Sequence, residues 1–540
     1  MLGGFLLGRF LLGSLLLGGL LLGGCTHKPS VSTGETTPVV AAPLWPDDEE
    51  TGGLRAHCEP LPLDALPGGV FSVTVTDSVL PRRAPVPTNR GERLVFAQLY
   101  ETLVNVDCQG GASPGLAEHW ACTEDSTVWV FSLRKGARFW DGTPVTSLDV
   151  RQAWLRNQAL PRAAGQSSPW AWLDVRERSV QALDARRLSI RLPEPQADFP
   201  LLLAHPATAV AVERLGWTWP VGSGPCRLQA ATPAPLPDLV CRPNVHHPEP
   251  PVWKRLTIFA RPGVDPRDLV ATDTDLFVVR QLQDVAFYDA APGYRALPLP
   301  WDRLYLLVLP PEQRDLGAGR WLTAAGRLTL PGDITGVSTR TWSSLAFPGG
   351  GATGCPQLTG PVTTSSAAPL DWELADQNLA ADVVLYRADD PGARELAERL
   401  VALAGPGARV ASLRRESFAF ALQWQMTGAC VLALDHEFPS SCLQLASLLG
   451  RAAWLQKAAL VRPRNLPTET LAAAEQWDAY DRPTSSGAAA RLAAADVARP
   501  LALCRPWLVV RGELAGLRLD YDGTPLLAGL GRPRTGSLQP

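Results

Sequence analysis

Strand and helix patterns alternate along a chain long enough for several cores, which predicts a mixed α/β protein built as more than one lobe. Apolar alternation marks strands at 70–76, 126–134, 187–192 and 255–261. An apolar face at helical spacing marks 393–404 as an amphipathic helix. With 540 residues, 46% of them hydrophobic and 19% charged, the composition is that of a folded body, and this length accommodates about two to four domains. A net charge of −3 provides no basic field for nucleic acid.

In chain order, the first element is an apolar stretch from Phe5 to Leu22, interrupted by Arg9, glycines and Ser14. It reads as a secretory h-region behind a thin positive n-region. Leu22-Gly23-Gly24-Cys25 looks like a bacterial lipobox, which implies cleavage before Cys25 and a lipid on its thiol. Residues 2–24 are also just long enough to remain as an uncleaved span of roughly 30 Å. The repeated glycines, and a cysteine placed after two small residues, favour processing and an exported body. No other stretch approaches 18 uncharged apolar residues, so no further transmembrane helix is expected. From Thr26 to about Leu66 the chain is rich in Pro, Gly, Thr and acids without periodicity, the composition of a flexible tether.

The strand "VFSVTVT" at 70–76 opens the folded body. In "STVWVFSLR" at 126–134, Trp129, Phe131 and Leu133 share one face. Asp141-Gly142 is a turn signal, and Thr146 with Asp149 three residues later reads as the capped start of a helix through 150–158. The strands "RLSIRL" and "RLTIFAR" follow, and Leu396, Leu400, Val401 and Leu403 line the apolar face of the 393–404 helix. No internal repeat is present. Ten cysteines without a CxxC zinc pattern suit disulfides outside the cytoplasm. Cys108 with Cys122 and Cys226 with Cys241 are the favoured pairs. Nine cysteines remain beyond Cys25, so at least one is left free or paired between chains.

Four stretches in order then resemble family 5 of the extracellular solute-binding proteins, the dipeptide, oligopeptide and nickel receptors of ABC importers. They are "QLYETLVNVDCQGGASPGLAEHW" (98–120), "FSLRKGARFWDGTPVTSLDVRQAW" (131–154), "VGSGPCRL" (221–228) and "CRPN" (241–244). "DTDLFVV" (273–279) and "WDRLYLLVLPP" (301–311) are candidates for the passage from one lobe to the other, and "RPWLVVRGELAGLRLDYDGTPLL" (505–527) resembles the final return. The helix expected after 311 is reduced to "RDLGAGRWLTAAGRL". Gly222 and Gly224 are read as positions needing a backbone conformation closed to other residues. The resemblance implies a two-lobed periplasmic-binding-protein-like α/β fold of type II, with mixed sheets, a hinge and the extra subdomain of the peptide-binding group. The expected organisation is a signal peptide at 1–24, a tether at 25–66, lobe one with its inserted subdomain at 67–285, lobe two at 286–497 and a return to lobe one at 498–540.

The resemblance also implies ligand chemistry. Peptide-binding members use an aspartate in an Asp-Tyr-Pro-Asp-Pro motif for the peptide's α-amine. "LALDHEFPSSCLQLASLL" keeps Asp435 and Pro439 at that spacing, with His436, Glu437 and Phe438 between. Asp435 is thus the candidate ammonium partner, against an alternative role in a loop or helix cap. Arg414 and Arg415 are the candidates for a ligand carboxylate, Trp424 for lining the cleft, and Asp77, in "TDSVLPRR", for facing it. His246-His247 is either a metal pair or, more in keeping with Pro248, a surface turn, and no metal is expected. No GxSxG, HExxH or phosphate-loop pattern stands in a supporting context, so neither enzyme activity nor a cofactor is expected. The expectation is a monomeric lipoprotein of the cell envelope. It binds a small molecule or peptide and delivers it to an ABC transporter permease. Its rival is a non-transport lipoprotein that keeps the fold as a sensing or surface-interaction module.

Overall fold

A computed structural model describes residues 59–107, 110–160, 179–229 except 194 and 197, 238–309, 318–342, 382–424, 428–440 and 498–534, together with 168–171, 173, 175, 347, 443 and 444. The expected signal peptide, Cys25 and most of the tether lie outside the described residues. The end of the expected tether is ordered: Ala65–Leu66 pairs antiparallel with Arg532–Pro533.

Val70–Val75 stands inside a seven-stranded mixed sheet, and Phe71 to Val75 are all buried. Its alternation is therefore one of residue type, not of exposure, because a strand with parallel neighbours is covered on both faces. Arg255–Ala260 and Leu276–Val279 flank it in parallel. Asp238–Pro243 and Cys226–Leu228 extend one side, Trp507–Arg511 and Tyr294–Pro298 the other, all antiparallel. A second seven-stranded mixed sheet is built around Arg303–Val308, which runs antiparallel to both Ala498–Cys504 and Ala429–Asp435. Val383–Arg387 and Arg409–Leu413 continue it in parallel from Ala429–Asp435. A four-stranded antiparallel sheet holds Ala117–Cys122, Val128–Leu133, Arg187–Arg191 and Val180–Ala182. Trp129, Phe131 and Leu133 face its core as the alternation requires.

The first sheet's last strand in the outward passage, Tyr294–Pro298, is followed by Arg303–Val308 of the second sheet. On the return, Ala498–Cys504 belongs to the second sheet and Trp507–Arg511 to the first. The sheets thus exchange strands at 299–302 and 505–506, somewhat beyond the divisions read from the sequence. The two crossings are stitched together, Leu299 donating its N–H to Pro506 O (3.0 Å) and Asp302 to Cys504 O (3.1 Å). Helices Ala318–Arg327 and Pro391–Ala404 cover one face of the second sheet, burying Trp321, Leu396 and Leu400 against Leu307 and Val431. The helix that the sequence showed only in reduced form is therefore present. Leu403, placed on the apolar face by periodicity, is exposed.

Local signals explain the small sheet's surroundings. Thr146 and Asp149 form a reciprocal capping box on the Ser147–Ala159 helix. Gly142 has φ of 86°, and Asp141 Oδ1 accepts the Thr143 N–H at 2.9 Å. Gly222 and Gly224 have a different reason to be glycine from the one expected. Neither has positive φ; a Cβ on Gly222 would lie 2.2 Å from Leu99 O, and one on Gly224 2.5 Å from Leu99 C. Close backbone approach fixes both.

Candidate functional site

In α/β sheets, ligands collect in the crevice outside the carboxyl ends of the parallel strands. Here both large sheets turn those ends toward the two crossings. Val279 ends its strand beside Trp507 and hands over to Arg280, while Arg303, Cys504 and Asp435 share the corresponding edge of the second sheet.

The Arg90–Leu99 helix begins at this edge. Asn89 caps it by accepting the Glu92 N–H (2.8 Å), and Asp77 Oδ2 accepts that of Gly91 (2.8 Å). Buried Glu92 folds back to accept from Thr88 N (2.9 Å) and Leu80 N (3.1 Å). This turn fixes Arg90, which projects from the first-sheet side onto the second. Arg90 Nη2 lies 2.9 Å from Asp302 Oδ2, donates to Asp302 O at 3.2 Å, and is 3.8 Å from Asp435 Oδ1. Arg280 holds the same Asp302 carboxylate at 2.6 and 3.4 Å. Arg303 forks onto Asp435 at 2.7 and 3.2 Å. The five groups carry three positive and two negative charges.

Asp302 is fully buried, whereas Asp435 keeps 38% of its side-chain surface exposed. Burial raises the Asp435 pKa, but the opposing charges of Arg303 and Arg90 outweigh it and hold the carboxyl well below the usual range. A pair of unit charges 4 Å apart is worth about 4 kcal/mol at an effective dielectric near 20. An ammonium brought to Asp435 would gain roughly that and lose as much to each guanidinium at similar distance.

A second group lies alongside. Arg93, one turn beyond Arg90, pairs with Asp520 and with Asp522 (2.8 Å). Burial, only partly offset by Arg93, pushes Asp520 up to about 6. Tyr521 donates its hydroxyl to Glu437 O at 2.8 Å, joining the return segment to the loop after the Ala429–Asp435 strand. In that loop the His436 ring stacks on Phe347 at 4.4 Å and meets the Tyr521 edge at 5.8 Å. Burial pushes the His436 ring down to about 4, and its Nδ1 has no hydrogen-bond partner among the described residues.

The structure therefore brings Asp435 and Asp77 to the same edge, each already engaged. Arg415 pairs with Asp389 (2.7 Å) at the start of the Arg415–Trp424 helix, and Arg414 is exposed just before it. Trp424 ends that helix; its side chain lies outside the described residues. His246 and His247 stand in a turn at the surface, His246 exposed, but the His247 ring folds inward: its Nε2 donates to buried Glu101 (3.2 Å), which also takes a two-pronged bond from Arg134 (2.7 and 2.8 Å). Cys226 and Cys241 are buried on neighbouring strands as free thiols, and Cys122 is free and exposed. Cys108 is outside the described residues. Sequence reasoning missed Arg90, Arg280, Asp302 and Arg303. Their one signal was Asp302-Arg303, a charged pair opening the apolar strand "LYLLV".

The family model described as bacterial extracellular solute-binding proteins, family 5 Middle, matches residues 111–296. The periplasmic oligopeptide-binding protein OppA of Escherichia coli (strain K12) is 36% identical over 145 residues, covering 24% of this chain and 26% of OppA. The periplasmic murein peptide-binding protein MppA of the same organism is 33% identical over 174 residues, 28% of this chain and 32% of MppA. The chain thus matches about a quarter to a third of the length of these relatives. Among solved structures, NikA from Brucella suis in complex with Fe(III)-EDTA superposes with a TM-score of 0.63 at 16% identity, over 86% of this chain and all of that one. Clavulanic acid biosynthesis oligopeptide binding protein 2 gives 0.62 at 20% identity, over 89% and 98%. The fold is that of the two-lobed periplasmic binding proteins.

Proposed function

We propose that the chain is a member of family 5 of the bacterial extracellular solute-binding proteins, whose model matches residues 111–296, and that it is an extracytoplasmic solute receptor. It takes a small ligand, a peptide in the first instance, in the crevice between its two large sheets. In this reading the first sheet and the four-stranded sheet form one lobe, the second sheet forms the other, and the crossings at 299–302 and 505–506 are the hinge. Cys25 carries a lipid that tethers the body to a membrane, and the closed form docks on the permease of an ABC importer.

The observation that carries this reading is the meeting of both carboxyl edges at the double crossing, where Arg90 and Arg280 of one side reach Asp302 and Asp435 of the other. A ligand that contacts both sides stabilises the closed arrangement by its difference in affinity for the two forms. Relatives named for oligopeptide and murein peptide binding make peptides the first class to test.

A thermal-shift screen of the detergent-solubilised full chain against dipeptides, longer peptides, sugars and nickel tests the reading. A ligand at a hundredfold excess over its Kd stabilises the folded state by about 2.7 kcal/mol, enough to move the melting temperature. A shift with peptides supports a peptide receptor, and a shift with another class keeps the receptor and changes its ligand. Silence across the panel, from a protein that melts cooperatively, favours the non-transport interaction module.

A further inference from the structure

We propose that the end of the ligand lying against Asp435 is an acid, held by Arg90 and Arg303, and that this cleft does not take a free α-amine there. The inference rests on the cleft reading above and specifies its chemistry. Asp435 offers an incoming ammonium no unopposed charge: one oxygen accepts Arg303 Nε at 2.7 Å and lies 3.8 Å from Arg90, and the other accepts Arg303 Nη2. The only other carboxylate in the group, Asp302, is fully buried and already held by Arg90 and Arg280.

The guanidiniums are the groups with capacity left. Each carries five N–H donors in a planar fork that fits a carboxylate. Arg90 engages Asp302 and Asp435 through Nη2 alone, and Arg303 uses Nε and Nη2. Nε and Nη1 of Arg90 and Nη1 of Arg303 have no partner among the described residues. Their side chains remain 35% and 27% exposed, so these donors are open to a solute. The five charged groups of this edge have one positive charge in surplus and the Arg93–Asp520–Asp522 group alongside has one negative, so it is the open guanidinium donors that favour an acid. Beside them, buried His436, 7% exposed, has an unpartnered Nδ1. Its backbone N–H is fixed on Asp302 O at 2.9 Å, which ties this loop to the same edge.

Two probes built on one tripeptide amide and opposite in terminal charge decide the matter: succinyl-trialanine amide, whose α-amine is capped by a free acid, and trialanine amide, with the amine alone. Binding to the full chain is followed by titration calorimetry. The succinyl probe is expected to bind at least about tenfold more tightly, the scale of one charge-assisted hydrogen bond. R303Q and R90Q are each expected to weaken it by a similar factor, while D435N leaves it unchanged or tightens it. R90Q leaves Asp302 paired with Arg280 and so serves if R303Q does not fold, as judged by its melt. Preferential binding of trialanine amide, or its loss in D435N, overturns the acid site and leaves the receptor standing. Equal binding of the two probes also overturns it, and marks the arginines as a purely structural clamp. Absence of binding by either probe, together with silence in the wider screen, overturns both the acid site and the receptor.

Discussion

Replacing His436 by phenylalanine should remove a large part of the protein's acid sensitivity. The ring is buried between Phe347 and Tyr521, with Asp302, Asp522 and Arg90 as its charged neighbours, and burial pushes it from the ordinary 6.5 down to about 4. In the unfolded chain this histidine takes up a proton near 6.5, whereas the folded protein refuses it until about 4. Stability from the neutral ring is therefore complete above 6.5, is lost as the pH falls from 6.5 to 4, and changes no further below that. At about 1.4 kcal/mol per pH unit, the loss between pH 7.5 and 4.5 is about 2–3 kcal/mol. His436→Phe keeps an aromatic ring against Phe347 and removes an unpartnered nitrogen, so its stability at pH 7.5 should lie within about 1 kcal/mol of the parent. Urea unfolding of both proteins at pH 7.5, 6.0 and 4.5 isolates the residue, because the carboxylates that also protonate are common to both. A parent and variant that lose equal stability across this range would show that the ring is solvated in the folded state, and the reasoning would fail.

Two other substitutions test the scaffold. Glu101→Gln leaves Arg134 buried without its counter-charge and His247 with a weaker acceptor. It should cost about 3–5 kcal/mol at neutral pH, read as a lower urea midpoint; a change under about 1 kcal/mol would mean that the triad is wet. Gly222→Ala drives a Cβ to 2.2 Å from Leu99 O, whereas Gly136→Ala, at φ of 73° with nothing within 4 Å, meets only conformational strain. The first should cost at least about 3 kcal/mol and the second about 1–2 kcal/mol, so melts showing equal losses would contradict the close-approach argument.

The parts of the fold that were legible are those set by neighbours in sequence. The Thr146–Asp149 capping box and the Asp141-Gly142 turn depend on contacts within a few residues and stand as read, and the strand read at 126–134 from its alternation is present over Val128–Leu133. Gly222 and Gly224 were legible as positions but not as causes, because the obstacle is the backbone of Leu99, more than 120 residues earlier. His247 shows the same limit. Beside Pro248 it has the local pattern of an exposed turn, yet its partner Glu101 lies 146 residues away. The Ala318–Arg327 helix was obscured for another reason: its sequence carries Gly319 and Gly326, and tertiary packing of Trp321 and Ala324 on the second sheet overrides that weak propensity.

Asp435 is the residue where motif and structure part company, and the reason is charge geometry. A motif position states where a carboxylate stands; it does not state what already neutralises it. Arg303 faces Asp435 across two antiparallel strands, 132 residues away, and Arg90 arrives from a helix in the first part of the chain. In a chain whose 50 basic residues are nearly all arginine, neither stands out in sequence. Yet the pairing decides the sign of the site. With Asp435 unpaired, the edge would attract an ammonium; with Arg303 forked onto it and Arg90 near, that carboxylate is neutralised and the guanidiniums' open donors face the ligand. The same backbone and the same aspartate then select opposite ligand ends, according to one cross-strand partner. Arg303 is consequently the position at which a relative of this fold that prefers amines should differ. R303M, which empties the fork while keeping the stem's apolar volume, should move this cleft toward such a preference, and unchanged discrimination between the succinyl and amino probes in R303M would refute that assignment.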